Sequence, residues 1–319
     1  MQRERRRGHS RVQRLARGRR GVSPLAAPRR ARPRDRPPRR AGARGVRADP
    51  RQLRRVPAHP QHSLLALCST RKSDRIPSVR IGLISDIHGN LLALDAVLDE
   101  LEREGVDRIV CLGDVAVGPQ PAETLARVKE LGCPVVMGNW DAAFIQGMPQ
   151  PRDEIGEMLV EIGNWWAGFL SPEDREFMES FEPTVELMLG STPALAFHGS
   201  PKSYDDWIFS TTPDEEMRPM LIDTEAPVLL GGHTHVQMIR RYGAAVIVNP
   251  GSVGLPFRQW WPRPVRISPW AEYGIVGGEG AHLSIELRRT PFDVDAFLEL
   301  SRESGMPHAE WWANSWLTN

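Results

Sequence analysis

Five short polar clusters in the sequence carry side chains of the types that bind divalent metal ions. The clusters read SDIHGN, LGD, GNWD, FHGS and GGHTH, and their candidate ligands are three oxygen donors and four imidazoles: Asp86, Asp114, Asn139, His88, His198, His233 and His235. Mixed nitrogen and oxygen ligands suit Mn, Fe, Ni or Zn, while the lack of thiolates disfavours a purely structural zinc site. Seven ligands exceed one tetrahedral site, but two ions about 3.5 to 4 Å apart, bridged by one carboxylate, would use the set and leave room for water.

Each cluster follows an apolar run that reads as a β-strand. In α/β sheets, ligand sites form just beyond the carboxyl ends of strands, so five such ends can share one crevice although they are far apart in sequence. The His-x-His pair is the strongest single signal, because an extended segment places His233 and His235 on the same side. An isolated Asp-x-His or Gly-Asp is more often an ordinary turn, but five clusters in order are hard to assign to chance.

The elements that would position these clusters are visible as a repeated strand, loop and helix. Strands at 79–84 and 107–112 alternate with helices that end at Gly105 and Gly132, and a further strand is predicted at 134–137. Residues 154–181 read as helical, and the whole argues for a sheet with helical crossovers. Later apolar runs with few helices between them predict a second, more antiparallel sheet: 185–189, 194–199, 227–232, 238–243, 244–249 and 282–289.

Taken in order, the motifs Asp-x-His-Gly-Asn, Gly-Asp, Gly-Asn-x-Asp, His and Gly-His-x-His resemble those of the calcineurin-like metallophosphoesterase superfamily. The stretches DIHGNLLALDAVL and NPGSVGLPFR resemble its small bacterial branch, and the likeness covers about residues 79–290. It implies a four-layer α/β/β/α sandwich, with two mixed sheets flanked by helices. It also implies two divalent ions (Mn²⁺, Fe²⁺, Ni²⁺ or Zn²⁺) and hydrolysis of phosphodiesters or phosphomonoesters by in-line attack of a metal-bridging hydroxide.

The resemblance also implies roles for individual residues. The first ion would be held by Asp86, His88 and His235, the second by Asn139, His198 and His233, and Asp114 would bridge them. The residues assigned directly to catalysis are Asp114 and Asn139, and the candidate substrate-binding residues are Asn90, Trp140 and Arg258. Turn capping is the alternative for the two asparagines, and exposed surface charge is the alternative for the arginine.

Trp140 departs from the family pattern, since many relatives carry histidine there as a proton donor to the leaving group. An indole N–H does not titrate usefully and cannot act as a general acid. The sequence therefore predicts a preference for good leaving groups, or for substrates with their own proton donor. Two alternatives stay open: a stacking surface for a nucleobase, and packing in the core.

Charge divides the chain into a basic tail and an acidic remainder. Residues 1–78 hold about 24 basic and about 4 acidic side chains, against about 17 and about 36 beyond them. An Arg- and Pro-rich composition predicts disorder. The favoured interpretation is a mis-assigned start ahead of Val79, and the alternative is a nucleic-acid-binding arm. The phosphoesterase domain is predicted at 79–300, followed by a Trp-rich extension at 301–319.

The remaining features suggest a cytoplasmic enzyme that acts on a phosphate-ester small molecule or a nucleotide-like substrate. The cysteines Cys68, Cys111 and Cys133 form no pairs at metal or redox spacing, and no apolar run approaches a membrane span. Nucleic acid is a partner only if the tail is translated, and the sequence leaves the oligomeric state open. The competing functions are a protein phosphatase and a catalytically weak scaffold of the same fold.

Overall fold

The computed structural model describes residues 78–260 and 263–316. Apart from Ser78, the predicted basic tail lies outside the described residues. Trp261 and the last three residues of the Trp-rich extension also lie outside them. The strands are β1 (Val79–Ile84), β2 (Arg108–Cys111), β3 (Val185–Leu189), β4 (Thr192–Ala196), β5 (Val228–Leu230), β6 (Met238–Tyr242), β7 (Ala245–Asn249), β8 (Phe257–Gln259), β9 (Arg266–Ile267), β10 (Ala271–Glu279) and β11 (His282–Thr290). The helices are α1 (Leu91–Glu104), α2 (Pro121–Leu131), α3 (Asn139–Gln146), α4 (Glu154–Ala167), α5 (Pro172–Glu179), α6 (Asp214–Met220), α7 (Val294–Glu303) and α8 (Ala309–Ala313).

Two mixed sheets form the centre of the fold, which confirms the predicted sandwich. The first sheet has the order β11-β10-β1-β2, with β1 and β2 parallel and the other pairs antiparallel. The second has the order β3-β4-β5-β7-β6, in which β4, β5 and β7 are parallel. Only its outer pairs, β3–β4 and β6–β7, are antiparallel. The predicted antiparallel character therefore holds for the flanks of this sheet and not for its centre.

Along each strand, successive side chains point to opposite faces of the sheet. Each sheet therefore packs against one core on each of its two faces. In β1, Ile81 and Leu83 enter the core between the sheets, whereas Ile84 enters the core beneath the helices. In β5, Val228 and Leu230 face the other sheet, and Leu229 packs on the opposite side with residues of α6. This period of two is what strands buried on both faces require. The layers are therefore helices α1–α5, the first sheet, the second sheet and α6.

Local sequence signals explain where the main helices begin and end. Helices α1 and α2 end at Gly105 and Gly132, both in the left-handed conformation that glycine adopts without a Cβ penalty. At the start of α5, the Ser171 hydroxyl accepts the Asp174 N–H and the Asp174 carboxylate accepts the Ser171 N–H. This reciprocal cap satisfies two amides that have no partner within the helix.

Three predicted features differ in the structure. The run at 282–289 forms β11, which pairs with β10 along its whole length and lies in the first sheet, so its assignment to the second sheet was wrong. Strand β10 had no prediction, because its three glycines interrupt the apolar pattern (AEYGIVGGE). The strand expected at 134–137 is reduced to two isolated bridges, Cys111 with Val135 and Val136 with Glu182.

The C-terminal segment packs on the core through aromatic residues. Phe297, Leu298 and Trp316 are buried together with Leu255, and Trp316 bridges to Ile267 of β9. The expected start of the extension, residue 301, lies inside α7. Among the helices of residues 78–260 and 263–316, none combines the length and the apolar character needed to cross a bilayer.

Candidate metal centre

The candidate ligands lie at the carboxyl ends of strands from both sheets. β1 leads to Asp86 and His88, and β2 leads to Asp114. In the second sheet, β4 leads to His198 and β5 leads to the two histidines of GGHTH. Because the strands that carry them run parallel within each sheet, their ends meet at one edge of the sandwich. The two sheets are joined there by the His233 N–H, which donates to Asp86 Oδ2 at 3.0 Å.

Six of the seven predicted ligands form two buried trios. The first, called here the Asp86 trio, is Asp86, His88 and His235; the second, called the Asp114 trio, is Asp114, His198 and His233. Within each trio, one ligand atom from every residue lies within 4.8 Å of the others. In the Asp86 trio, His235 Nε2 lies 3.1 Å from His88 Nε2 and 3.2 Å from Asp86 Oδ1. Such spacing lets three donor atoms converge on one point.

The Asp114 carboxylate stands between the trios. Its Oδ2 lies 3.5 Å from His198 Nε2 and 3.8 Å from His88 Nε2, one atom from each trio. Its Oδ1 accepts the Trp140 N–H at 2.9 Å. The seventh predicted ligand, Asn139, is half-buried, and its Oδ1 lies 3.1 Å from His198 Nε2. The structure thus brings all seven residues to one place.

Backbone carbonyls set the tautomers of two histidines. His198 Nδ1 lies 2.7 Å from the Leu112 oxygen, and His235 Nδ1 lies 2.8 Å from the Leu255 oxygen. A carbonyl only accepts hydrogen bonds, so each Nδ1 carries the proton. In the neutral imidazole, Nε2 then holds a lone pair directed into the site, which is the arrangement seen in histidines that bind metals.

The electrostatics of the site call for added positive charge. Burial and the neighbouring His235 lower the pKa of His88 to about 4, and burial and His198 lower the pKa of His233 to about 3, so both rings are neutral at neutral pH. Burial opposes a charge on His198, but Asp114 and Asp86 outweigh it and raise its pKa to about 10. Among the described ion pairs, no Lys or Arg reaches either carboxylate. Without a cation, only the protonated His198 ring among the described residues offsets the two buried carboxylates; a bound cation would replace the His198 Nε2 proton and offset both charges.

The residues present fit a pair of divalent ions. Asp86 Oδ1 and His233 Nε2 are buried and have no hydrogen-bond partner within the described part of the chain. Unpaired buried polar atoms are costly, and these two come from different trios. Oxygen and imidazole donors, with Nε2 lone pairs directed inward, match the preferences of first-row divalent metals.

The backbone of the site is unusual. Seven non-glycine residues in the described ranges have positive φ, between 50° and 67°, and five of them are candidate ligands: Asp86, His88, Asp114, His233 and His235. Left-handed backbone is uncommon outside glycine and clusters at functional sites, where the surrounding contacts hold it in place. Here those contacts include the Asp86 N–H to the Gly113 oxygen and the His88 N–H to the Asp114 oxygen, at 2.9 and 3.0 Å.

Asp141 holds the loops that carry Asp114 and Asn139. Its carboxylate accepts N–H groups from Asp114 at 2.7 Å, Val115 at 3.0 Å and Gly138 at 3.1 Å. Burial and the Asp114 charge raise the pKa of Asp141 to about 7. The carboxylate therefore has a positioning role, since it ties the end of β2 to the start of α3.

The three candidate substrate-binding residues differ in their surroundings. The side chain of Asn90 is fully buried: it accepts the Ala93 N–H as the cap of α1 and donates to the Gly254 oxygen. The indole of Trp140 packs against α4, where a Cβ on Gly163 would lie 2.8 Å from Trp140 Cζ3. Arg258 is exposed in β8 and has no ion-pair partner among the described residues. These contacts favour capping for Asn90 and packing for Trp140.

Several residues that support the site had no sequence prediction. The Ser85 hydroxyl donates to the Asp86 side chain at Oδ2, and the Ser252 hydroxyl donates to the backbone carbonyl oxygen of Asp86. Phe257 stacks on His235, with ring centroids 4.3 Å apart, and Trp207 lies edge-on to His233 at 4.7 Å. Ser85, Ser252 and Phe257 lie inside the motifs SDIHGN and NPGSVGLPFR, but no role was predicted for them, and Trp207 lies outside every quoted motif. The Asn249 side chain donates to the Gly232 oxygen and to Thr234 Oγ1.

Comparisons with known proteins agree with this site. Residues 79–262 match the model of the calcineurin-like phosphoesterase superfamily domain. Phosphodiesterase YfcE of Escherichia coli is 28% identical over 191 residues, covering 56% of this chain and 81% of that protein. An uncharacterized protein of Methanocaldococcus jannaschii is 27% identical over 195 residues, covering 55% and 76%. The crystal structure of a metallophosphoesterase from Sphaerobacter thermophilus is 27% identical with a TM-score of 0.57, covering 74% of this chain and 97% of that one.

Proposed function

The chain belongs to the calcineurin-like phosphoesterase superfamily and is a hydrolase of phosphoric esters, and we propose that it cleaves phosphodiesters with two divalent metal ions. The observation that carries this proposal is the pair of buried Asp/His trios with Asp114 between them. In this proposal the Asp86 trio would hold one ion, the Asp114 trio and Asn139 would hold the other, and Asp114 would serve both ions. When bound, the ions would activate water for attack on phosphorus and stabilise the charge on the phosphate oxygens.

The chain's own residues contribute orientation and charge. The carbonyls of Leu112 and Leu255 fix two imidazoles with Nε2 directed inward. The Trp140 and His233 N–H groups bind Asp114 Oδ1 and Asp86 Oδ2, which leaves the second oxygen of each carboxylate for a metal. Because these contacts come from the backbone, the ligands are held before any cation arrives, and little reorganisation is needed during the reaction.

Phosphodiesters rank ahead of phosphomonoesters as substrates. The relative from Escherichia coli is named a phosphodiesterase. A diester carries one negative charge fewer than a monoester, and the described ion pairs place no Lys or Arg beside the candidate ligands to receive a second charge.

Manganese, iron, nickel and zinc all suit the donor set. We place the reaction in the cytoplasm, because Cys111 and Cys133 are free thiols.

Hydrolysis of bis-p-nitrophenyl phosphate by the Mn²⁺-loaded full-length protein tests this proposal. Asp114→Asn should lower kcat at least about 100-fold and reduce the bound metal, because one substitution removes an oxygen ligand from both trios. The matched control is Asp95→Asn, since Asp95 is a surface residue of α1 paired with Arg127 and should leave both quantities unchanged. Equal activity in the Asp114 variant and the wild type would refute the proposed roles of the trios.

A further inference from the structure

A row of aromatic side chains borders the Asp114 trio on its solvent side. Trp207 contacts His233 edge-on, with ring centroids 4.7 Å apart. Phe209 lies 5.6 Å from Trp207, and Trp260 stacks on Phe209 at 5.4 Å with an angle of 9° between the planes. Trp207 is 44% exposed, so much of its indole is open to solvent directly beside a candidate metal ligand. Trp207, Phe209 and Trp260 together form the aromatic row.

The loop that follows His198 places Trp207 at this position. Gly199 allows the chain to fold back, because a Cβ there would lie 2.6 Å from the Tyr204 oxygen and 2.8 Å from the Asp206 nitrogen. The Ser200 hydroxyl donates to Asp206 Oδ2 at 2.6 Å and closes the loop. On the other side of Trp207, Ile208 is buried in the core beneath α6. A buried neighbour and a closed loop hold the exposed indole in one place.

The middle of the row is also anchored. The Phe209 N–H donates to Thr212 Oγ1 at 2.9 Å, and the Phe209 oxygen accepts from Arg240 Nη1 at 2.8 Å. An exposed aromatic ring with a fixed backbone loses little entropy when a ligand binds, so it favours stacking. Isolated exposed apolar residues are common and need no explanation. A row of three that ends on a metal ligand differs from them because it continues the site.

We infer that the aromatic row binds a planar aromatic group of the substrate, such as a nucleobase, and selects phosphate esters that carry one. This inference rests on the proposed function and names the substrate class for the same site. A phosphate held at the trios would lie beside His233, and its ester group would extend along the exposed face of Trp207. Stacking of a base on an aromatic side chain favours binding by about 5- to 100-fold.

Equilibrium binding of two ligands that differ only in the base tests the inference. Adenosine 5′-monophosphate and ribose 5-phosphate are titrated into the Mn²⁺-loaded full-length protein by calorimetry, and KM values replace dissociation constants if either ligand is turned over. The wild type should bind the nucleotide about 5- to 100-fold more tightly than the sugar phosphate. Trp207→Ala should remove that difference by weakening the nucleotide far more than ribose 5-phosphate, and Trp207→Phe should keep most of the difference.

The matched control is Trp165→Ala, because Trp165 is 39% exposed on α4 and contacts Phe169. That variant should retain the full preference. Equal affinities of the wild type for both ligands would overturn the inference. So would an equal loss for both ligands in Trp207→Ala, which would make Trp207 a support for His233 only. Metal content measured for each variant identifies that case directly.

Hydrolysis of bis-p-nitrophenyl phosphate separates failure of the inference from failure of the proposed function. Hydrolysis without a preference for the nucleotide would reject the aromatic row as a subsite and keep the phosphoesterase. Absence of hydrolysis, together with no binding of either phosphate, would reject the proposed function. If the protein prefers the nucleotide through Trp207 but hydrolyses nothing, the aromatic row is supported as a binding surface only.

Discussion

The Asp86 trio and the Asp114 trio each contain one aspartate and two histidines, but their surroundings differ. The Asp86 trio is enclosed: Phe257 covers His235, and Ser85 and the His233 N–H both bind Asp86 Oδ2. The Asp114 trio borders the half-buried Asn139 and the exposed Trp207. The ligands of both trios are buried, so the two halves differ in their neighbours: protein groups enclose the Asp86 half, whereas the Asp114 half has the exposed Trp207 at its open edge.

This difference assigns different work to the two halves. A cation held by enclosed ligands exchanges slowly and contributes to stability, because removing it leaves a buried carboxylate without a counter-charge. A cation beside the open edge is the one that a substrate can reach. We therefore expect a more structural role for the Asp86 trio and a substrate-facing role for the Asp114 trio, so variants of each half should have different effects.

The largest expected effect comes from the enclosed half. Asp86→Asn should weaken metal binding at least about 100-fold and abolish the rise in Tm that metal produces, because the carboxylate contacts ligands of both trios. His233→Asn should lose one equivalent of metal and keep most of that rise. Plasma emission spectrometry and thermal unfolding, with and without chelator, measure both quantities. A larger loss of Tm in the His233 variant would reverse the assignment of the two halves.

A smaller effect is expected from Gly138→Ala, which acts on the Asp114 trio without changing a ligand. The φ of Gly138 is −88°, so alanine is compatible with the backbone, but its Cβ would lie 2.1 Å from Asp114 Oδ1. Asp114 must then move, and metal affinity should fall by about 10- to 100-fold. The control is Gly156→Ala in α4, where the new Cβ would lie 3.3 Å from the nearest atom, Asp153 Oδ1. This variant should leave metal binding unchanged. Unchanged binding in both variants would mean that the position of Asp114 is not critical.

The meeting of the candidate ligands at one edge was predictable from the sequence because its signals are local. Each cluster places a small set of polar residues directly after an apolar run, and the carboxyl ends of parallel strands converge by geometry. His233 and His235 both reach the site, but the extended segment expected there was wrong: their φ values are 66° and 57°, and each joins a different trio. Asp114 follows β2 and His198 follows β4. The two side chains meet because these strands end at the same edge of the sandwich.

The aromatic row and β10 were not predictable, for different physical reasons. Trp207 reaches His233 through a loop that folds back on itself, and no periodicity in SPKSYDDW encodes that path. Strand β10 contains glycines that lower strand propensity, yet Gly278 is needed because a Cβ there would lie 2.3 Å from the Leu189 oxygen. The left-handed backbone of the ligands is likewise a property of the assembled loops. In each case a tertiary contact outweighs a local preference.

Truncation of Trp140 should lower stability while leaving the metal in place. The indole packs against Gly163 and partly buried residues of the helical layer, whereas the contact with Asp114 comes from the Trp140 backbone N–H. Trp140→Ala should therefore reduce the free energy of unfolding by about 2 kcal/mol with metal stoichiometry unchanged. Trp165→Ala, an exposed counterpart on α4, should cost under about 1 kcal/mol. Loss of metal in the Trp140 variant would show that the indole itself supports the Asp114 trio.

The smallest effect is expected from Trp140→His, which tests whether the open half lacks a proton donor. An imidazole can protonate a departing alkoxide, whereas nitrophenolate leaves without help. Turnover of alkyl phosphodiesters should therefore rise by roughly 10-fold while turnover of bis-p-nitrophenyl phosphate changes little, below the 10²- to 10⁴-fold typical of a fully positioned general acid. Trp140→Phe supplies a ring without a titratable group and should raise neither rate. Equal changes on both substrates would mean that residue 140 acts through packing against Gly163 and not through the leaving group.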